Sequence, residues 1–263
     1  MAKNQILWAN EEIDILTEKY PNLSNRELSK ILGRTVGSIK GKAIKLGLKK
    51  SYSINHNKLK ILLDNSNKSN YWLGFIMSDG YISSGGELKI SLNIKDIDHL
   101  STFCNYVKAN INVSTKHTVC FNYYKRGHIC AMSCKDSIYG KLIREKFNII
   151  DKKTYNPISI DYLAEKNAFI SFLCGLIDGD GCFCKGSSGK FSFIRIQCHS
   201  SWFSVYQIIC SRLLSYEILS KVSIDTQGYC RFIINKSNSI LLYNIIKFLN
   251  IPYLSRKWNL LDI

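Results

Sequence analysis

Apolar residues recur at helical spacing through the first fifty positions. Trp8, Ile13, Leu16 and Tyr20 share one face after Asn10, a suitable helix cap, and Pro21-Asn22 breaks the run. Ser24-x-x-Glu27 has the form of a capping box and opens a second helix with Leu28, Ile31 and Leu32 inward, ended by Gly33. Thr35 can cap a third, with Val36, Ile39, Ala43 and Leu46 on one face and Gly47 as its stop. Three short helices, with a break before the last, predict a helix-turn-helix over residues 1–50. Residues 51–68 are rich in Ser, Asn and Lys, with one apolar patch at Leu59–Leu63, and read as a linker that partly docks on the domain after it.

From residue 69 the pattern occurs twice. WLGFIMSDGYI spans Trp72–Ile82 and LCGLIDGDGCF spans Leu173–Phe183. Each is followed by a Gly/Ser-rich turn, then an alternating strand: Leu88, Ile90, Leu92 in one copy and Phe191, Phe193, Ile194, Ile196 in the other. An amphipathic helix follows (Asp96–Val107; Trp202–Leu214), then a hairpin turning near Lys125-Arg126-Gly127 or Gln227-Gly228. Each copy closes with a helix (Ser137–Phe147; Asn238–Leu249) and a basic tail (Lys152-Lys153; Arg256-Lys257). The prediction is an α+β fold: a duplicated αββαββα unit with pseudo-two-fold symmetry, repeats at 69–160 and 161–263, preceded by the three-helix domain.

Charge sharpens this picture. The 263 residues carry a net charge of +16 and are 46% hydrophobic, so the chain has material for real cores and points to a polyanionic partner. From Leu28 to Lys50 the basic residues Lys30, Arg34, Lys40, Lys42, Lys45, Lys49 and Lys50 meet no acid. Arg34, Ser38, Lys40, Lys42 and Lys45 are the expected DNA-binding positions of the third helix. Gly37 and Gly41 lie off its core face and would let its backbone come close to a groove. No apolar run approaches the ~18–20 residues of a membrane helix, and no secretory signal core precedes Glu11-Glu12. An intracellular, reducing compartment is expected, and the ten cysteines are expected to be free thiols. Cys182-x-Cys184 and His128-x-Cys130-x-x-x-Cys134 are not zinc spacings.

The chemistry lies in the two repeat-opening motifs. Each apolar helix ends on Asp-Gly. Gly74-x-x-x-Ser78 and Gly175-x-x-x-Gly179 place small residues one turn apart, which lets two helices approach closely. If the copies pack together, Asp79 and Asp180 meet at one end. Two close carboxylates repel, and a divalent cation resolves the conflict. Oxygen-only ligands, the carboxylates together with the helix-end carbonyls of Ser78 and Gly179, suit Mg²⁺, with Mn²⁺ an acceptable substitute. A carboxylate pair holding Mg²⁺ in a basic protein is an apparatus for phosphodiester hydrolysis.

Residues Trp8-x-x-Glu11-Glu12 through Leu46-Gly47-Leu48 resemble the Myb/SANT-like helix-turn-helix family. The two Asp-Gly motifs resemble the LAGLIDADG homing-endonuclease signature over about residues 69–263. The second, Leu173–Gly181, departs only at Cys174 and Gly179, while the first has Met77 where the sixth-position acid stands. The penultimate acid, the family's metal ligand, is Asp79 and Asp180. Met77 is expected to bear on local capping more than on catalysis, so an acid placed there should leave activity intact. The resemblance implies a monomeric, two-repeat nuclease that seats its sheets in the DNA major groove and leaves short 3′ overhangs. It also implies a lysine near each scissile phosphate, at Lys153 and Lys257.

Strand alternation offers Lys89, Ser91, Tyr123, Lys125, Arg195, Gln197 and Arg231 as a pool for reading DNA. The resemblance further implies a water-positioning polar residue on a strand of each repeat, for which Asn93 and Gln197 are candidates. The expected function is site-specific cleavage of double-stranded DNA, with no membrane partner. The alternatives are a non-cleaving transcription regulator on a degenerate copy of the fold and an RNA maturase that assists intron splicing. Both acids remain, which weighs against the first, and the helix-turn-helix favours duplex DNA over the second. Protein splicing is not expected, because Met1 and Asp262-Ile263 lack its nucleophile and terminal Asn.

Overall fold

The computed structural model describes residues 7–49, 57–109, 117–118, 127–150 and 152–262. The chain divides into two units, Met1–Asn55 and His56–Ile263.

The first unit holds α1 (Asn10–Lys19), α2 (Asn25–Leu32) and α3 (Val36–Lys45). Leu16, Tyr20, Leu28, Ile39 and Ala43 form its core, with Trp8, Leu23, Leu32 and Leu48 packed against it. The capping box forms: Glu27 N donates to Ser24 Oγ at 3.2 Å and Ser24 N to Glu27 Oε2 at 2.8 Å. Thr35 Oγ1 accepts from Ser38 N at 3.2 Å and starts α3. The cap of α1 is Ala9 rather than Asn10, because Glu12 reaches back to Ala9 N at 2.9 Å. Ile31 and Leu46, expected inward, are exposed. A core this small is filled by one or two side chains per helix.

The second unit begins inside the stretch expected as linker. Leu59 and Leu62 are fully buried, and Leu59 N donates to Asp136 Oδ2 at 3.0 Å. Apolar burial thus takes residues 57–66 into the fold, up to Ser66, which caps α4. The elements of the first repeat are α4 (Asn67–Asp79), β1 (Gly80–Ile82), β2 (Glu87–Asn93), α5 (Ile97–Tyr106), β3 (His117–Thr118), β4 (Gly127–Lys135) and α6 (Tyr139–Lys146). The second has α7 (Lys166–Asp180), β5 (Cys182–Lys185), β6 (Phe191–His199), α8 (Phe203–Leu214), β7 (Lys221–Ile224), β8 (Tyr229–Asn235) and α9 (Lys236–Phe248). A further helix, α10 (Ser255–Trp258), stands where a tail was expected.

The two sheets have the same antiparallel topology, β1-β2-β4-β3 and β5-β6-β8-β7. In β2 the alternation holds, with Leu88, Ile90 and Leu92 buried. In β6 a register shift at Cys184/Lys185 puts Phe191 and Ile194 on the buried face and turns Phe193 away from it. Tyr123 and Lys125 lie outside the described residues.

Helices α4 and α7 have no polar face over most of their length: residues 69–77 and 168–178 are all buried. They pack on each other more extensively than any other pair of helices. Among the described residues no helix is long and apolar enough to cross a membrane. The described cysteines are free thiols.

Candidate active site at the paired helix ends

Glycine makes the α4–α7 contact possible. A Cβ on Gly74 would collide with the carbonyl oxygen of Phe172, and one on Gly175 with that of Tyr71. The backbones touch where side chains would normally separate them. Nearer the C-termini, a Cβ on Gly179 would strike the Ser78 side chain and lie 3.4 Å from Asp79 Cγ. The small residue in the second motif therefore makes room for the acid end of the first. Asp79 and Asp180 are the last residues of their helices, and each following glycine turns the chain out into a strand.

Burial raises the pKa of Asp79 to about 6, with the nearby negative charge of Asp180 adding to it and Lys257 and Lys153 opposing it. Burial also raises Asp180, against the pull of Lys153 and Lys257. Two partly desolvated carboxylates thus share one end of the helix pair.

The two lysines occupy matching positions. Lys153 Nζ donates to the carbonyls of Ile76 (3.0 Å), Met77 (2.7 Å), Ser78 (3.0 Å) and Gly80 (2.5 Å). Lys257 Nζ donates to those of Ile177 (3.2 Å), Asp178 (2.5 Å), Gly179 (3.4 Å) and Gly181 (2.7 Å). Each ammonium caps the negative end of a helix dipole just behind the carboxylate that ends it. Burial lowers the Lys153 pKa to about 8, against the pull of Asp180 and Asp79, and burial also lowers that of Lys257. The carbonyls of Ser78 and Gly179, named as metal ligands from the sequence, already accept one of these bonds each.

A cleft of about 220 Å³ opens beside the second helix end, lined by Ser78, Lys153, Asp180, Gln197, His199 and Trp202 among others. His199 escaped the sequence reading. Strand pairing reveals it: Tyr81 faces Lys89 and Cys182 faces Arg195, which makes Ser91 the counterpart of Gln197 and Asn93 the counterpart of His199. Asn93 and Gln197 are therefore not an equivalent pair. Asn93 Oδ1 accepts from Lys95 N at 3.0 Å and His199 Nδ1 from Ser201 N at 3.2 Å, so both start the turn after their strand. Gln197 alone of the two candidates lines the cleft.

The DNA-reading pool separates by surroundings. Lys89, Ser91 and Gln197 are exposed, and Arg195 and Arg231 are half-buried on the solvent side of β6 and β8. Lys89 pairs with Glu87 at 3.1 Å and Arg231 with Asp225 at 2.8 Å. On α3, Lys40 and Lys45 are exposed, Ser38 is half-buried, and Lys42 lies 5.9 Å from the Trp8 ring centroid. Gly37 and Gly41 open onto free space. Arg34 is already engaged within its own unit. Its guanidinium makes a bidentate pair with Glu12 (2.9 and 2.7 Å), donates to Leu7 O at 2.7 Å and stacks over Trp8. Glu12, distant in sequence, supplies the counter-charge, and Arg34 fastens α1 to the segment before α3.

Met77 is 2% exposed, so an acid there would be a buried charge.

No protein-family model matches the sequence, and no curated protein matches it. Solved structures do. The homing endonuclease I-WcaI bound to its DNA recognition sequence is 14% identical, with a TM-score of 0.54, covering 82% of this chain and 97% of its own. Mesophilic variants of the homing endonuclease I-DmoI are 15% identical (TM-score 0.48; 76% of this chain, 100% of theirs). The N-terminal LAGLIDADG domain of DUF199/WhiA is 15% identical (TM-score 0.45; 76% and 91%). Two glycine-packed helices, each ending on an aspartate above its own antiparallel sheet, give the second unit the fold of the LAGLIDADG homing endonucleases.

Proposed function

We propose that the protein is a site-specific endonuclease that hydrolyses double-stranded DNA with Mg²⁺ and leaves short 3′ overhangs. The observation that supports this most is the meeting of Asp79 and Asp180 at one end of the α4–α7 pair, in a chain of net charge +16. A pair of carboxylates desolvated together, with helix-end carbonyls alongside, matches the donors Mg²⁺ prefers. Asp79 and Asp180 would hold it, with the carbonyls of Ser78 and Gly179 as further donors; Mn²⁺ fits the same set. Bound there, the cation supplies Lewis-acid activation of water and of the phosphate.

The chain's own residues do the rest. The carboxylates fix charge at the end of a rigid helix pair. Lys153 and Lys257 offset that charge from behind, which keeps the acids ionised and favours an approaching phosphate. On the solvent sides of the sheets, Lys89, Ser91, Arg195, Gln197 and Arg231 meet the bases and backbone. In the first unit, Lys40, Lys42 and Lys45 of α3 provide a second DNA contact, in the manner of a Myb/SANT-like helix-turn-helix. Because one chain carries both acids, a monomer suffices for both strands.

The test is incubation with a randomised duplex library and Mg²⁺, then sequencing of cut ends. A defined cut with short 3′ overhangs is expected. Enrichment of bound, uncut duplex would replace the nuclease reading with that of a regulator.

A further inference from the structure

The two halves differ just beneath the carboxylates. Asp178, two residues before Asp180, is 2% exposed and accepts three hydrogen bonds. They come from Tyr71 Oη at 2.8 Å, Leu254 N at 2.8 Å and Trp258 Nε1 at 2.7 Å. Leu254 immediately precedes α10 and Trp258 ends it, so one buried carboxylate grips both ends of the short helix that carries Lys257. The grip is itself braced. Tyr71 belongs to α4, the helix of the other repeat, and its oxygen lies 3.0 Å from His99 Nε2 on α5.

The carboxylate of this grip and both its side-chain donors have no counterpart in the first repeat. By motif position Met77 stands for Asp178 and Phe172 for Tyr71. Counting from the lysines, Ile150 stands for Leu254 (three before) and Thr154 for Trp258 (one after). Acceptor and side-chain donors have gone together. Residues 152–156 form no helix; Trp202 Nε1 donates to Lys153 O at 3.0 Å. Both ammoniums reach equivalent carbonyls, but one rides on an arm clamped by a charge-assisted network and the other on a turn met by the neutral indole of Trp202.

We infer that Asp178 is a positioning residue for Lys257, and that its absence from the first repeat makes the two halves cut their strands at unequal rates. A lysine held in one place offers its charge to the scissile phosphate without reordering, and small displacements at such a site are costly in rate. This rests on the nuclease reading for its kinetic half only.

The test uses the full chain in two measurements. Amide hydrogen exchange of the metal-free protein needs no DNA. Peptides over 254–258 should be markedly better protected than those over 150–155. Asp178→Asn and Tyr71→Phe should raise exchange at 254–258 and leave 150–155 unchanged. Equal protection of the two arms, or a rise everywhere, overturns the positioning role. The second measurement takes the duplex selected by cleavage, with a different dye on each strand. Wild type should accumulate a nicked intermediate. Asp178→Asn and Trp258→Phe should slow the faster strand by about ten- to a hundredfold, leaving the slower one nearly untouched. Damage to the fold alone would slow both strands equally and keep their ratio. Equal wild-type rates overturn the inference while the nuclease reading stands. Cleavage of neither strand would overturn the nuclease reading, and exchange would still decide the role of Asp178.

Discussion

The two repeats resemble each other most where their backbones touch and least one turn below. Gly74 meets the Phe172 carbonyl and Gly175 the Tyr71 carbonyl across the helix pair, both helices end on aspartate, and each lysine fills the equivalent carbonyl cage of its own half. Two positions before those aspartates the resemblance stops, at Met77 against Asp178. The shared parts are those that a common two-fold centre demands: neither helix can close on the other unless both are thin, and neither carboxylate reaches the end without its partner helix. The parts that differ serve one half only. A duplicated fold can lose a local brace on one side without losing the axis.

The largest expected effects strike the shared parts. Gly74→Val and Gly175→Val each drive a side chain into a backbone carbonyl of the other helix, with no flexible atom to yield. Either should cost on the order of 3 kcal/mol or more, measured as a fall in the urea midpoint, and the two should be about equal. A mild effect from one of them would show that the helix pair is not symmetric in packing. Next come Asp79→Asn and Asp180→Asn. Each keeps the shape and removes a charge, so cleavage should fall by about a thousandfold or more while binding of metal-free protein to duplex holds or strengthens. Full double-strand cleavage by either variant would break the shared-site argument.

Which of these differences the sequence exposes depends on their range. The repeat, the glycine contact and the acid pair are legible because each is written within a dozen consecutive residues, and helical spacing turns it into geometry. The braces are not. Asp178 finds Leu254 and Trp258 far along the chain and Tyr71 far back, and Arg34 finds Glu12 two helices earlier. Such partners depend on tertiary placement. For the same reason a basic run read as free of counter-charge contained one guanidinium already engaged. The apolar patch at Leu59–Leu63 is legible as a docking point and does dock, with Leu59 and Leu62 buried, but its partner Asp136 is not legible. His199 needed the strand register, which makes it, rather than Gln197, the counterpart of Asn93.

Met77→Asp sharpens the comparison at the point of departure. The new carboxylate would be buried with Phe172, Ile150 and Thr154 at the positions of the donors that surround Asp178. An unpaired buried charge costs about 3–5 kcal/mol, moderated by protonation of the new acid. The variant should unfold at clearly lower urea than wild type, against the tolerance expected from the motif alone. Combining it with Phe172→Tyr, which supplies one donor, should recover part of the loss. A variant as stable as wild type would mean that the first half has an unoccupied brace rather than none.

The smallest effect concerns pH. In the folded chain Asp79 keeps its proton up to about pH 6, while the unfolded chain releases it near the ordinary carboxylate value. Between about pH 4 and 6 the folded state therefore binds more protons, and this group's contribution to stability falls as pH rises through that window. Asp178, also raised to about 6 by burial despite its three donors, acts in the same direction. His99 opposes both, because burial lowers it to about 4 and the unfolded chain binds the extra proton. The wild-type slope is thus a sum of opposite signs, and a difference between variants isolates each part. Relative to wild type, Asp79→Asn should remove a decline on the order of 1–2 kcal/mol between pH 4.5 and 6.5, measured by urea unfolding without metal. Asp180→Asn should flatten the curve in the same direction, since burial raises that acid as well. Mg²⁺ should stabilise wild type more at pH 7 than at pH 5, because only the ionised pair attracts it, and should do little for either Asn variant. An Asp79→Asn curve parallel to wild type would show that the two carboxylates do not share a desolvated site, and the likeness of the two helix ends would then be one of backbone alone.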